Sequence, residues 1–500
     1  GGDPGEVPDL FLATSGWAWI GAEEHCERTG GGVPVGESSA DTPGDSDPGG
    51  VVDTAGDSGE DPVDTAVAGD SGDSAATDTG PPAGERRLSG EITAFDVEFG
   101  ESWDMFTGQL AGVDALHANE TNTPGLAVGS PSINGTVLLY AGPIDAFDSY
   151  ASPSRSWVGI SGTQQVIGTT LARAGDVDGD GLDEIVVGQG GTGYVAGPWL
   201  VFEPGADLAA IDTFAYDIHS CCFSHWADPG GDLDGDGYAE VVLNGNGAVV
   251  ALSGGATAST AGPAYLVGFW GADGGDAFGT SASVADLEGD DRPEVVIGAP
   301  FRDSGATEAG SVYVVDPLGG GGTLGTDVRE RARIDGSEAN LNIGSALSAG
   351  DVDGNGTDDV LFQGWAASWL VTDLTLDAAA PAASGDFGNH RDAGNTMRIG
   401  GDADLDGRAD IAAWVGCAAD AGVLCAGIFY GPAADISTDP DAAMYGGAGH
   451  AGLTFRTTLR LDDVSGDGAA DLVVALDNAA GDDRFQQVYG VGIALGGRVE

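Results

Sequence analysis

The chain of 500 residues has no lysine: all 17 of its basic residues are arginine, set against 80 acidic ones. A formal net charge of −63 gives a surface that repels nucleic acid and anionic membranes, which removes both as partners. A high-GC genome or a salty habitat produces the same bias, so the charge excludes partners without naming one. No apolar run reaches the length of a spanning helix, so no membrane insertion is expected. The sequence opens on Gly1 rather than Met and carries no signal peptide, so the chain is expected to be processed or excised from something longer.

Cysteine is scarce. There are five: Cys26, the adjacent Cys221 and Cys222, and Cys417 with Cys425. The last two flank the polar segment AADAGVL between apolar runs. They either close a disulfide across a hairpin in an oxidising compartment or stand as two half-buried thiols. No CxxC and no zinc spacing occurs. The motifs G-x-S-x-G, H-E-x-x-H and the phosphate loop are also missing, and the six histidines share no motif. His219 and His225 bracket the Cys221-Cys222 pair, either as a soft-metal site or as an irregular loop between repeats. The carboxylates are committed elsewhere, so no glycosidase pair stands out. Trp365 and Trp414 read as packing residues or as sugar-stacking platforms. The chain is therefore not expected to be an enzyme.

Glycine and aspartate are what the sequence has in quantity. Residues 1–29 contain the apolar words DLFLAT and WAWIG, a remnant of an upstream repeat or domain. Residues 30–87 are almost wholly Asp, Gly, Ser, Thr, Pro and Ala, and cannot bury enough apolar surface to fold. They read as a disordered acidic linker. From residue 88 to 500 the chain repeats an acidic word followed by a β-branched run, as in GDVDGDGLDEIVVG at 175–188. The word returns at Asp232, Asp286, Asp351, Asp402 and Asp463, spaced 56, 54, 65, 51 and 61 residues apart. A worn copy lies at Asp114, with Leu116 and Ala118 in the acidic places, and no metal is expected there. Each unit reads as four short strands, and seven such units predict an all-β, seven-bladed β-propeller of four-stranded blades. Pairing the leading strand LSGEITAF with the last, QVYGVGIAL, would close the ring and remove two strand edges.

Four carboxylates in nine residues repel each other unless a cation joins them. Calcium takes six to eight oxygens from carboxylates, carbonyls and water, and Gly at the sixth position permits the tight turn. The expected ligands occupy positions 1, 3, 5, 7 (through the carbonyl) and 9. They are Asp176, Asp178, Asp180, Leu182 and Glu184; Asp232, Asp234, Asp236, Tyr238 and Glu240; Asp351, Asp353, Asn355, Thr357 and Asp359; and Asp402, Asp404, Asp406, Arg408 and Asp410. Two weaker loops follow. One has Asp286, Glu288, Asp290, Arg292 and Glu294, with Asp291 in place of the turn glycine. The other has Asp463, Ser465, Asp467, Ala469 and Asp471. Magnesium prefers a tighter octahedron and keeps its waters. An EF-hand would need Glu at position 12, where Val187 stands. Asx-rich turns without an ion could explain one copy, but six matching copies point to calcium.

The unit DAFGTSASVADLEGDDRPEVVIGAP resembles the FG-GAP repeat of integrin α-subunit propellers and their bacterial relatives. Phe278-Gly279 and Gly298-Ala299-Pro300 are its two name-giving words. Ile343-Gly344 and Ile167-Gly168 replace the first word in other units, and most copies lose the second. The resemblance implies calcium loops on one face of a propeller. It implies ligand recognition on the opposite face, through loops such as FRDSGATEAG at 301–310 and the Cys417–Cys425 loop. The expected function is a calcium-stabilised binding or adhesion module, monomeric, for an extracellular protein or glycan. The acidic linker beside such repeats also resembles bacterial surface proteins, implying an exported, extracellular or cell-surface location. A polysaccharide lyase on the same scaffold and a purely structural surface protein are the alternatives. A lyase needs a charge-neutralising cluster, whereas the arginines are scattered and RERAR at 329–333 reads as one strand face.

Overall fold

In the computed structural model the described residues run almost continuously over 231–255, 264–324, 330–377 and 397–416. The segments 165–191, 424–432 and 453–478 are largely described, and elsewhere there are strands, many as backbone alone. All belong to a unit of residues 1–29 and 85–500, whereas the second unit, 30–84, lies outside the described residues. Asp180, Leu182, the Cys221-Cys222 segment with its histidines, and Cys417 also lie outside them, and with Cys417 the disulfide reading.

The described residues contain no α-helix, only strands and the 3-10 turns Gly274–Asp276 and Pro317–Gly319. Besides a two-stranded ladder, Phe11–Leu12 on Ala18–Trp19, they form seven sheets, each built on four antiparallel strands. The first runs from Val113–His117 to Arg155–Val158, and the second from Gln165–Gly175 to Ala215–Tyr216. The third contains Trp226–Pro229, Val241–Gly245, Ala248–Ser253 and Ala264–Trp270, with the short Gly322–Thr323 added parallel to the last. The fourth contains Ala282–Ala285, Glu294–Ala299, Ser311–Val315 and Glu330–Asp335. The fifth runs from Ala346–Gly350 to Asn389–Arg391, and the sixth from Met397–Ile399 to Ala442–Met444. The seventh orders Leu453–Asp462, Asp471–Asn478, Tyr489–Ala494 and then Thr93–Val97, which pairs antiparallel with Tyr489–Ala494.

Alternation along each second strand explains why these sheets stack. In Val241–Gly245, Val241 and Leu243 join a cluster with Ala172 and Val186 of the second sheet. Val242 faces the other way, with Val295, Ile297 and Tyr313 of the fourth. Side chains that point alternately to two faces, both covered, require the unbroken β-branched run seen in the sequence. The same arrangement continues through Val296, Phe362 and Trp369, then through Leu361 and Ile411, then through Ala412, Trp414 and Leu472.

The words Phe-Gly and Gly-Ala-Pro meet at this stacking. Phe278 is 1% exposed and packs edge-on against Tyr313 at 5.8 Å. Gly279, at φ +80°, donates its N–H to the Gly298 carbonyl at 2.8 Å. A Cβ on Gly298 would lie 2.0 Å from the carbonyl oxygen of Gly344 in the next unit. Only glycine lets the two backbones approach so closely.

Candidate metal centres

Each acidic word closes the turn between a sheet's first and second strands. Its first aspartate holds the loop by itself. Asp351 accepts N–H groups from Gly354 (2.7 Å), Asn355 (3.0 Å) and Gly356 (2.9 Å). Asp232 and Asp463 make the same three contacts, with Gly235, Asp236 and Gly237 and with Gly466, Asp467 and Gly468. Asp286 does so with Gly289, Asp290 and Asp291, the last at φ +61° in a place that favours glycine. Asp176 holds Gly179 and Gly181, and Asp402 holds Asp406 and Gly407.

The ninth residue opens the second strand and is buried: Glu184, Glu240, Asp410 and Asp471 at 0%, Asp359 at 1% and Glu294 at 3% exposure. One of its oxygens accepts the N–H of position 2, as from Val177 to Glu184 (2.7 Å) and Val352 to Asp359 (2.9 Å). Leu233, Leu287, Ala403 and Val464 do the same for Glu240, Glu294, Asp410 and Asp471. The position-2 residues Val177, Leu233, Leu287, Val352, Ala403 and Val464 are themselves buried and apolar. They anchor the loop in the core and aim the ninth carboxylate back beneath it.

In four loops the carboxylates converge. Oxygens of Asp176, Asp178 and Glu184 lie within 4.8 Å of one another, as do those of Asp232, Asp234 and Glu240. Asp351, Asp353 and Asp359 form the third group, and Asp402, Asp404 and Asp410 the fourth. Two negative charges at such a distance repel by about 3–4 kcal/mol at an effective dielectric constant near 20. Burial, the first cause, and neighbouring acids push Glu240, Asp359 and Asp410 up to about 7. Asp359 Oδ1 is buried without a hydrogen-bond partner, an acceptor whose desolvation nothing in the protein offsets. Acceptor-only oxygens around an orphaned carboxylate fit a hard divalent cation such as calcium.

Position 5 also makes backbone contacts. Asp236 Oδ1 accepts the N–H of Tyr238 (3.1 Å), Asp406 that of Arg408 (3.0 Å) and Asp467 that of Ala469 (2.9 Å). Asp290 holds the Arg292 N–H (3.2 Å), and Asn355 holds both the N–H and hydroxyl of Thr357. These are Asx turns that fix the peptide of position 7, and the described acids at position 5 are not among the converging groups. The Asp463 loop has Ser465 at position 3, its hydroxyl 3.4 Å from Asp463 Oδ1, and a ninth residue, Asp471, that burial pushes up to about 6.

The Asp286 loop differs most. Glu288 and Glu294 meet a guanidinium: Arg331 lies 2.9 Å from Glu288, 2.8 Å from Glu294 and 3.1 Å from Asp377. The expectation that RERAR forms one plain strand face does not hold. Val314 pairs with Ala332 but Val315 with Glu330, leaving Arg331 as a bulge. A bulge re-aims the extra residue's side chain, and here that side chain reaches the acidic loop. Nothing in the sequence distinguishes Arg331 from Arg329 and Arg333 beside it, because the bulge that aims it is not local.

At the opposite ends of the strands a cleft of about 710 Å³ is lined by Asp273, Asp276, Phe301, Arg302, Asp303 and Trp365, among others. Trp365 is 62% exposed and meets Phe301 edge-on at 5.9 Å. Arg302 lies over the Tyr313 ring at 5.2 Å.

The family model described as FG-GAP repeat matches residues 278–315. This segment is an FG-GAP repeat. The match spans Phe278-Gly279, the Asp286 loop, Gly298-Ala299-Pro300 and the third strand of the fourth sheet. An FG-GAP repeat suggests a propeller-type binding or adhesion module, and the all-β architecture of the described residues agrees with that class. No curated protein matches the chain. Among solved structures, the chain is similar to BBS1N in a crystal structure with ARL6DN, soaked with lead. The identity is 12% and the TM-score 0.36, over 61% of this chain and 75% of that one. A mercury-soaked crystal of the same complex gives 13% and 0.35 over the same shares. No helix among the described residues is long and apolar enough to cross a membrane.

Proposed function

We propose that residues 88–500 form a closed seven-bladed propeller, braced by calcium and exported to the cell surface, that binds a protein or glycan without catalysis. In this reading the acidic segment 30–87 is a linker that holds the propeller away from its anchorage. The carrying observation is the convergence of three carboxylates in each of four corresponding loops, beside an FG-GAP repeat. The pairing of Thr93–Val97 with Tyr489–Ala494 supports closure.

The ion would be held by positions 1, 3 and 9 of each group. When bound, calcium supplies the counter-charge that lets the buried ninth carboxylate ionise inside the fold. The chain's own residues do the remainder: the first aspartate shapes the loop through backbone N–H groups, and position 2 anchors it in the core. Recognition falls to the other end of the sheets, where the exposed Phe301 and Trp365 wall a cleft. Loops on a rigid scaffold are the usual place for binding residues. Four carboxylates line that cleft against one arginine, which lies over an aromatic ring. That balance favours binding over the neutralising cluster a lyase needs.

The test is a screen of the protein against glycans and extracellular proteins, with calcium and after calcium removal. A hit that Trp365→Ala abolishes while the melt is unchanged supports the reading. A hit insensitive to both Trp365→Ala and Phe301→Ala moves the binding face elsewhere.

A further inference from the structure

The segment that matches the FG-GAP model contains the acidic loop whose carboxylates do not converge on an open centre. We infer that the Asp286–Glu294 loop takes no metal because Arg331 is its resident cation, built into the chain where the four converging loops leave room for calcium. The inference rests on the calcium reading of the four converging loops.

Three placements carry it. The guanidinium bridges positions 3 and 9, Glu288 and Glu294, two of the three positions that converge in the four open loops. Its side chain is only 10% exposed, so the pair with Glu294 sits largely out of water, where one charge cannot be left without the other. Asp377 closes the outer side at 3.1 Å.

The third sheet shows what the same scaffold does without the arginine. Its fourth strand carries a bulge at the corresponding place, with Ala251 paired to Val267 and Leu252 to Tyr265. The bulged residue there is Leu266, which packs on the apolar cluster between the third and fourth sheets. The Asp232 loop beside it keeps its three carboxylates together. One bulge therefore serves two purposes, set by whether it carries Leu or Arg.

The backbone of the fourth sheet leaves an acceptor free for this arginine. The second oxygen of the ninth carboxylate accepts a glycine N–H just past the third strand in three loops: Gly254 to Glu240 (3.3 Å), Gly431 to Asp410 (2.8 Å) and Gly496 to Asp471 (2.9 Å). Each glycine stands two residues beyond the partner of position 10, namely Leu252, Phe429 and Ala494. In the fourth sheet Val295 pairs with Val315, so the place belongs to Pro317. Proline has no N–H to give. Arg331 donates to that oxygen instead, at 2.8 Å.

The experiment counts calcium by equilibrium dialysis with metal analysis on the full chain, alongside thermal melts with and without calcium. Arg331→Met removes the charge while keeping an unbranched side chain at the bulge. It is expected to add one calcium to the wild-type count and to make the melt more calcium-dependent. A folded R331M protein with an unchanged count overturns the inference. Should R331M not fold, Glu288→Gln decides: this half-exposed residue is expected to leave the count unchanged, and a loss of one ion would show that the wild-type loop holds metal. A wild-type protein that binds no calcium defeats the reading of the four open loops instead, an outcome distinct from either of these.

Discussion

Stripping calcium is expected to leave a protein that becomes less stable as pH rises. Burial pushes the ninth carboxylates Glu240, Asp359 and Asp410 up to about 7 in the metal-free fold, whereas in an unfolded chain such groups ionise near pH 4. Between those values the folded protein keeps protons that the unfolded chain has lost, so raising the pH favours unfolding, and the loss is complete above about pH 7. One carboxyl raised from about 4 to about 7 accounts for roughly 4 kcal/mol. Domains have total stabilities on the order of 5–15 kcal/mol, so a few such groups take up a large share even if they are far from additive. Calcium reverses the sign, because the ion competes with protons for the same oxygens. The assay is a series of thermal melts from pH 5 to 8 on protein stripped of calcium by resin, with and without calcium added back in millimolar excess. The two melting temperatures should nearly coincide at pH 5 and separate by on the order of 10 °C at pH 8. A metal-free melt that is flat or rises over that range would refute the reasoning.

Asp359→Asn should have opposite effects in the two conditions. It neutralises a buried, half-satisfied carboxylate and so should raise the calcium-free melting temperature at pH 8, while lowering it in calcium; a change of the same sign in both would sink the metal assignment at that loop. Gly298→Ala places a methyl group 2.0 Å from the Gly344 carbonyl oxygen. Overpacking of this kind costs about 1–3 kcal/mol, read by denaturant unfolding, and a cost under half of that would mean the two backbones can separate. Phe278→Ala empties a site that is 1% exposed. It should lose about 3–5 kcal/mol, and a much smaller loss in the same titration would mean that the sheets collapse into the gap.

What could be read from the sequence was what is local. Positions 1, 2, 6 and 9 of the acidic word all act within nine residues, through N–H groups and the strand that follows, so spacing alone identifies the turn. The run Val295-Val296-Ile297 declares a strand covered on both faces, because every side chain is apolar. Position 5 has a second, structural use that its spacing does not announce. Alternating acids look like ligands, but the shortest route for the Asp236 or Asn355 side chain is to the N–H two residues on. Arg331 could not be read at all. Its role depends on a one-residue slip between the pairs Val314–Ala332 and Val315–Glu330, which leaves no periodic mark. Trp365 could be named as a candidate, but its Phe301 neighbour comes from another unit's loop.

The most direct test is to weigh the intact protein by native mass spectrometry after calcium has been added back and excess metal removed. The converging loops predict four tightly bound calcium ions, with the Asp286 loop contributing none. A protein that retains no calcium while remaining folded would contradict the account.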